Sequence, residues 1–287
     1  MTLAATAGAD ALAAATAAGV DVRELHDAAE LRLAQRLFED IWRPVPDSPP
    51  PVSAELLRAL AHAGNYVAGA WAGERLAGAC MGFVSAPARQ ALHSHIAGVA
   101  PGTQRRGVGF ALKLHQRAWA LAHGLPLAVW TFDPLVARNA WFNLTKLAAE
   151  ASEYLPDFYG PMTDAINAGD ASDRLLVTWR LDDPRVAAAG AGSPAEPDPE
   201  ALRSAGAVAA LDEDAGGLPV AGAADAPVLL VRVPHDVEGL RGRDPAAAHR
   251  WRHAVREVLG GLLAEGATVT GFARPSCYVV QRKPTPP

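Results

Sequence analysis

The stretch Gly98–Leu114, GVAPGTQRRGVGFALKL, joins an apolar run to a helical one. Between them stand Gln104, Arg105, Arg106, Gly107, Val108, Gly109 and Phe110. The unpaired N–H groups and dipole of a helix start hold phosphate well. Gly107 and Gly109 let the backbone approach a ligand without a Cβ in the way. Arg105 and Arg106 add charge around the phosphates. The junction has no GK[ST] and lacks the third glycine of a dinucleotide loop, so it is neither a Walker A loop nor a Rossmann fingerprint.

Just upstream, His93, His95, Ala97 and Val99 fall on one face of a strand by period-two spacing. Histidine titrates near neutrality and suits a general base. Three readings stand side by side: a base, a packed core histidine, or an H-x-H chelate that lacks an evident third ligand.

The elements that must position these residues follow from capping and periodicity. Val20–Leu25 reads as a strand, and Asp27 caps a helix to about Ile41 with Leu31, Ala34, Leu37 and Phe38 on its buried side. The five prolines of Trp42–Pro51 stop it. Ser53 caps a short helix, and Ala72-Gly73-Glu74 turns a β-hairpin. Leu92–Ala100 is a strand, Phe110–Ala122 a helix, Leu127–Thr131 a strand, Leu135–Ala149 a helix and Arg174–Leu181 a closing strand. Residues 1–19 read as a flexible, loosely helical Ala-rich tail, and Asp10 inside this run argues against a signal peptide. Residues 183–225, rich in Ala, Gly, Pro and Asp, read as a linker. Residues 226–287 form a small α/β unit packing on the first, with Asp244-Pro245 starting its helix.

The chain has 287 residues and a net charge of −5, which argues against a duplex nucleic-acid partner. Two cysteines, Cys80 and Cys277, make no disulfide framework or zinc pattern, so the expected setting is cytoplasmic, with no metal. No apolar run approaches membrane-span length.

The run Gln104-Arg105-Arg106-Gly107-Val108-Gly109 after Gly98-Val99-Ala100-Pro101 resembles the acyl-CoA motif of the GNAT superfamily of N-acetyltransferases. The order of elements over residues 20–182 resembles that α/β fold with its mixed central sheet. HSHIAGVAP, WTFDPL, RNAWFN and DFYG are similar to a branch of predicted acetyltransferases that carries an extra C-terminal unit. The resemblance implies that backbone amides from Arg105 to Phe110 hold the CoA pyrophosphate. It also implies that Val99 and Ala100 pair with the pantetheine arm and that Asn139 bonds the same arm. Both histidines then point toward that cleft. The superfamily's acid is a tyrosine on the helix after the next strand, but Leu144 stands there. Tyr159 or Tyr154 then becomes a substitute, or water reprotonates the thiolate. Asn143 is a weaker candidate for the acyl group or the acceptor, and Asp133 either orients the acceptor amine or caps its loop.

On the C-terminal helix, His249, Arg252, His253 and Arg256 recur at one-turn spacing, a solvated face by default. Alternatively, Arg252 and Arg256 bind a substrate carboxylate, as in succinyl-CoA or an amino acid. The expected activity is transfer of an acyl group, acetyl or succinyl, from acyl-CoA to a small-molecule amine by direct attack in a ternary complex. An acyl-CoA-binding sensor without turnover is the competing reading, and an ATP-binding use of the junction a third. The resemblance also admits a homodimer.

Overall fold

A computed structural model describes residues 2–43, 49–160 and 170–283. In chain order its elements begin with α1 (Leu3–Ala18), β1 (Asp21–Glu24), α2 (Ala28–Trp42), α3 (Ala54–His62), β2 (Tyr66–Ala72), β3 (Arg75–Val84), β4 (Ala91–Val99), α4 (Val108–Ala122) and β5 (Leu127–Phe132). They continue with α5 (Ala137–Ala140), which runs into a π-helical turn (Trp141–Lys146), then β6 (Glu150–Leu155), β7 (Arg174–Arg180), α6 (Pro184–Gly190) and α7 (Pro199–Ser204). The last are β8 (Val208–Glu213), β9 (Pro219–Ala221), β10 (Val228–Arg232), α8 (Val237–Arg243), α9 (Pro245–Ala264), β11 (Thr268–Ala273) and β12 (Cys277–Gln281).

The described residues form two compact units: 2–43, 49–130 and 180–191 in one, and 131–160, 170–179 and 192–283 in the other. In the first, β1, β2, β3 and β4 pair antiparallel in that order, and β5 joins β4 parallel. Caps form where side chains can reach back. Asp27 accepts from Ala29 N–H at 2.7 Å and Ser53 from Leu56 N–H at 3.2 Å. Gly73, at φ +60°, allows the hairpin turn between β2 and β3. Leu31, Leu37 and Phe38 of α2 and Leu57 of α3 pack with Val67, Ala79 and Met81 into one core. Of the proline-rich stretch after α2, residues 44–48 lie outside the described residues.

Residues 3–18, read from sequence as part of a flexible, loosely helical tail, form the 16-residue helix α1, packed rather than loose. Thr2 caps it, Gly19 ends it in the left-handed region, and Ala7, Ala11 and Ala15 are buried along one stripe. Methyl side chains at four-residue spacing let α1 lie close against α4. A stripe made only of alanine contrasts too little with its surroundings to announce itself in sequence.

In the second unit the strand order is β7-β6-β11-β12-β10-β8-β9, with β10 and β8 parallel and the remaining pairs antiparallel. The stretch read as a linker holds α6, α7, β8 and β9. Its small residues still bury Ala210 and Leu211 on β8 and, in the first unit, Val186 and Ala189 on α6. Asp244 caps α9 through Ala247 N–H at 2.9 Å, with Pro245 in the first turn. Among the described residues no helix is long and apolar enough to cross a membrane.

Candidate active site

β4 carries the first part of the site. Its partner on β3 passes from Met81↔Ile96 to Gly82↔Ser94, so His95 is an extra residue, a β-bulge. The bulge resets the alternation of faces. Ser94 turns toward α4, where its Oγ accepts from Lys113 Nζ at 2.8 Å. Ile96 packs into the core beneath α2 and α3, and a Cβ on Gly98 would meet Ile41 and Trp42 of α2. Val99 is back on the α4 side, beside Gly109. The four residues expected on one face are therefore divided: His93 and His95 face the α2 side, and Val99 faces α4. Phe83 on β3 stacks on His93 at 4.8 Å between centroids and lies 6.0 Å from His95, and the two imidazoles are 6.0 Å apart. Burial lowers the pKa of both histidines, and His95 and Lys113 lower that of His93 further. Both are therefore neutral at pH 7 and able to accept a proton. Among the described residues no group of three or more His, Cys, Asp or Glu side chains is placed to hold a metal ion.

β4 and β5 pair at only three positions, Ala91↔Leu127, Leu92↔Ala128 and His93↔Val129. β4 then continues for six residues, Ser94–Val99, beyond that ladder. Ala100 N–H donates to Ala77 O at 2.8 Å, which makes Gly78↔Val99 a non-hydrogen-bonded pair. The N–H and C=O of Val99 consequently point to the other edge of β4, the edge β5 has left. Ala97, opposite Cys80, is oriented the same way. Ala100, read together with Val99 as a partner for the pantetheine arm, has both backbone groups engaged. Its carbonyl accepts from Thr103 N–H at 3.1 Å and from the Thr103 hydroxyl at 2.8 Å.

The loop after β4 winds through positive φ at Gly102 (+81°), Arg105 (+65°) and Gly107 (+85°) into α4. Gln104 Oε1 accepts from Gly102 N–H at 2.9 Å and so shapes the loop. Gly107 is the N-cap of α4 and no side chain caps that end. Arg105 and Arg106 are exposed, Val108 is buried, and Gly109 and Phe110 are half-buried. A Cβ on Gly107 would lie 3.5 Å from Ala18 of α1. Two open grooves in this unit measure about 690 and 860 Å³. Only the larger, along α2, touches this loop, through Ala100 and Pro101.

The second unit holds the other candidates. Asn139 is exposed on α5, Asn143 is buried in the π-helical turn, and Leu144 beside it is 2% exposed. Tyr159 is exposed, its hydroxyl 3.2 Å from Thr131 Oγ1 and its ring beneath the Arg174 guanidinium. Tyr154 instead donates to Asp173 Oδ2 at 2.6 Å, and burial followed by this bond raises its pKa well above the usual tyrosine value.

Asp133 and Arg252, two separate candidates in sequence, pair with each other. Arg252 Nη1 and Nη2 donate to the two Asp133 oxygens at 2.8 and 2.9 Å, and Nη2 also reaches Asp170 at 3.0 Å. Arg241 Nη2 joins Asp133 at 2.7 Å and Asp170 at 3.0 Å. Arg252 is fully buried, so α9 does not present a wholly solvated basic face. Burial alone would raise the Asp133 carboxyl, but Arg252 and Arg241 hold it down at about 2. Arg256, partly exposed, donates to Asp173 at 2.9 and 2.5 Å. The acids of one segment satisfy the arginines of another, a pairing no local sequence signal contains.

One functional candidate was missed by sequence reasoning. Lys113 lies inside FALKL, where it reads as a polar position of an amphipathic helix, yet it is 5% exposed. The signal available was its neighbourhood, Leu112 and Leu114 on either side and Gln116 one turn on, in a helix that α1 covers on its outer side.

No protein-family model and no curated protein matches the chain. Solved structures similar to part of it include yncA from Salmonella typhimurium, assigned as an acetyltransferase and solved with acetyl-CoA. It is 16% identical at a TM-score of 0.48, over 63% of this chain and 98% of that one. A protein from Desulfovibrio desulfuricans assigned to the GNAT family of acetyltransferases is 16% identical at a TM-score of 0.43, over 56% of this chain and 99% of its own. The ribosomal-protein-S18-alanine N-acetyltransferase of Escherichia coli is 14% identical at 0.45, over 57% and 95%. The chain is a mixed α/β protein by its own strand pairings, and these three acetyltransferase structures are similar to 56–63% of it.

Proposed function

We propose that this protein transfers an acyl group, acetyl or succinyl, from acyl-CoA to the amine of a small molecule. The observation that carries the reading is the parting of β4 from β5 after His93↔Val129, on a strand that leads into the glycine-started helix α4. The pyrophosphate sits at the α4 N-terminus beside Gly107, with Arg105 and Arg106 alongside. The pantetheine arm runs back along the open edge of β4 as an added strand and bonds the outward groups of Val99 and Ala97. An N–H on this edge also meets the carbonyl oxygen as it gains charge.

The acceptor amine attacks the thioester directly from the face where His93 and His95 stand, and one of the two takes its proton. Arg252 and Asp133, saturated by each other, are left out of acceptor recognition. A sensor without turnover is the second reading, and buried Leu144 at the usual tyrosine position is what favours it.

Thermal unfolding with acetyl-CoA, succinyl-CoA, CoA and ATP in turn tests binding, because a ligand of the native state raises the midpoint. Thiol release with an amine panel then separates enzyme from sensor. A shift with CoA species and free thiol with at least one amine is the expected result. A shift without thiol release would make the protein a sensor, and the absence of any shift would remove the CoA reading.

A further inference from the structure

Lys113 reaches from α4 to the point where β4 and β5 part. The last parallel pair is His93↔Val129, and the next residues on the two strands are Ser94 and Trp130. Those two side chains bracket the lysine: Nζ donates to Ser94 Oγ at 2.8 Å and stands 3.8 Å from the Trp130 ring centroid. It also donates to Gln116 Oε1 at 3.1 Å, and the Gln116 amide in turn donates to Cys80 Sγ at 3.3 Å. The residue is buried, and among the described residues no carboxylate forms an ion pair with it. Burying an ammonium without a counter-ion costs folding free energy, even with these neutral contacts. Such a group at a strand opening is a mark of chemistry rather than of stability.

The titratable groups around it are few: the Cys80 thiol on β3 and His93 on β4, with Gln116 and Trp130 as its neutral neighbours on α4 and β5. Burial lowers the lysine to about 8, and burial raises the Cys80 thiol. Near neutrality Lys113 therefore holds a proton it can release, and Cys80 is a neutral thiol.

We propose that Lys113 is the acid that protonates the sulfur of departing CoA. The inference rests on the acyltransferase reading above. An arm entering at the α4 N-terminus and following β4 from Val99 back to Ser94 covers about 17 Å at the usual strand rise, and it ends at this apex. The histidines stand on the α2 face there and Lys113 on the α4 face, so attack and departure occur on opposite sides of the sheet. The amine nitrogen forms its bond to the carbonyl carbon, and the C–S bond breaks with its electron pair going to sulfur. Lys113 gives one proton to that sulfur and becomes a neutral amine. The proton lost by the acceptor nitrogen goes to His93 or His95, and solvent returns one from histidine to lysine. Free CoA thiol and the N-acyl product result. The lysine supplies what Leu144 cannot.

The test has a readout separate from turnover. In wild-type protein saturated with CoA, thiolate absorbance is followed against pH. An ammonium beside the sulfur stabilises the thiolate, so the bound thiol should titrate about one unit or more below free CoA. In Lys113→Met this lowering should vanish while CoA still binds. Turnover by Lys113→Met should fall about 10²-fold or more. Wild-type turnover should decline as pH rises through about 8, where the lysine loses its proton. A bound thiol in wild type that titrates at or above the free value overturns the role of Lys113, and so does a variant that keeps its rate. Either result leaves the acyltransferase reading standing. Absence of CoA binding, or of thiol release with every amine, overturns both. If Lys113→Met does not fold, the wild-type titration decides the matter alone.

Discussion

Arg117 Nη1 lies 3.3 Å from Asp10 Oδ2, across a sequence separation of 107 residues, and its Nε donates to Leu181 O at 3.0 Å. The guanidinium is 1% exposed, so Asp10 is the anion that makes its burial on α4 tolerable. The charge interrupting an alanine run is thereby explained as the anchor of α1. Asp10→Ala leaves the arginine buried and short of a partner. It should lower unfolding stability by about 1–3 kcal/mol, read as a lower urea midpoint at unchanged slope. An unchanged midpoint would mean that the alanine stripe alone holds α1.

Gly107→Trp combines a left-handed φ of +85° with a side chain directed at Ala18. It should abolish the stabilisation by CoA while reducing intrinsic stability by only about 1–2 kcal/mol. Calorimetric titration with CoA checks this, and retained affinity would sink the phosphate cradle.

His93→Ala and His95→Ala should spare CoA affinity, and the variant lacking the base should lose about 10²–10⁴-fold in turnover. A base works when unprotonated, and burial lowers both imidazoles. Wild-type turnover should therefore hold at pH 7 and fall only below the ordinary histidine range. A pH–rate profile with its acid limb at or above 6.5 would contradict the burial argument.

Asp133 offers a pH test of stability. Its carboxyl lies at about 2 in the folded chain against 3.8 unpaired. The folded state therefore binds its proton less readily, and the pair's contribution is complete above pH about 4. It is lost as pH falls toward 2, and the shift is worth about 2 kcal/mol. Asp133→Asn should destabilise the protein at pH 7 and flatten this acid limb in urea titrations between pH 5 and 2. A variant as acid-sensitive as wild type would assign the limb to other carboxylates.

The sequence by itself determined what is decided within a few residues. Asp27, Ser53 and Asp244 cap helices because an N-cap side chain bonds N–H groups two or three positions ahead. Gly73 and Gly107 mark turns because left-handed backbone favours glycine. The QRRGVG run therefore announces its helix start from local chemistry alone. The tertiary structure decided what depends on register and on distant partners. One extra residue at His95 turned both histidines away from the face of Val99, since every side chain beyond a bulge changes sides. Arg252 was claimed by Asp133, 119 residues away, and Lys113 was drawn to the opening between β4 and β5. A cation's role depends on which acids surround it, and that neighbourhood exists only once the sheets and helices have packed.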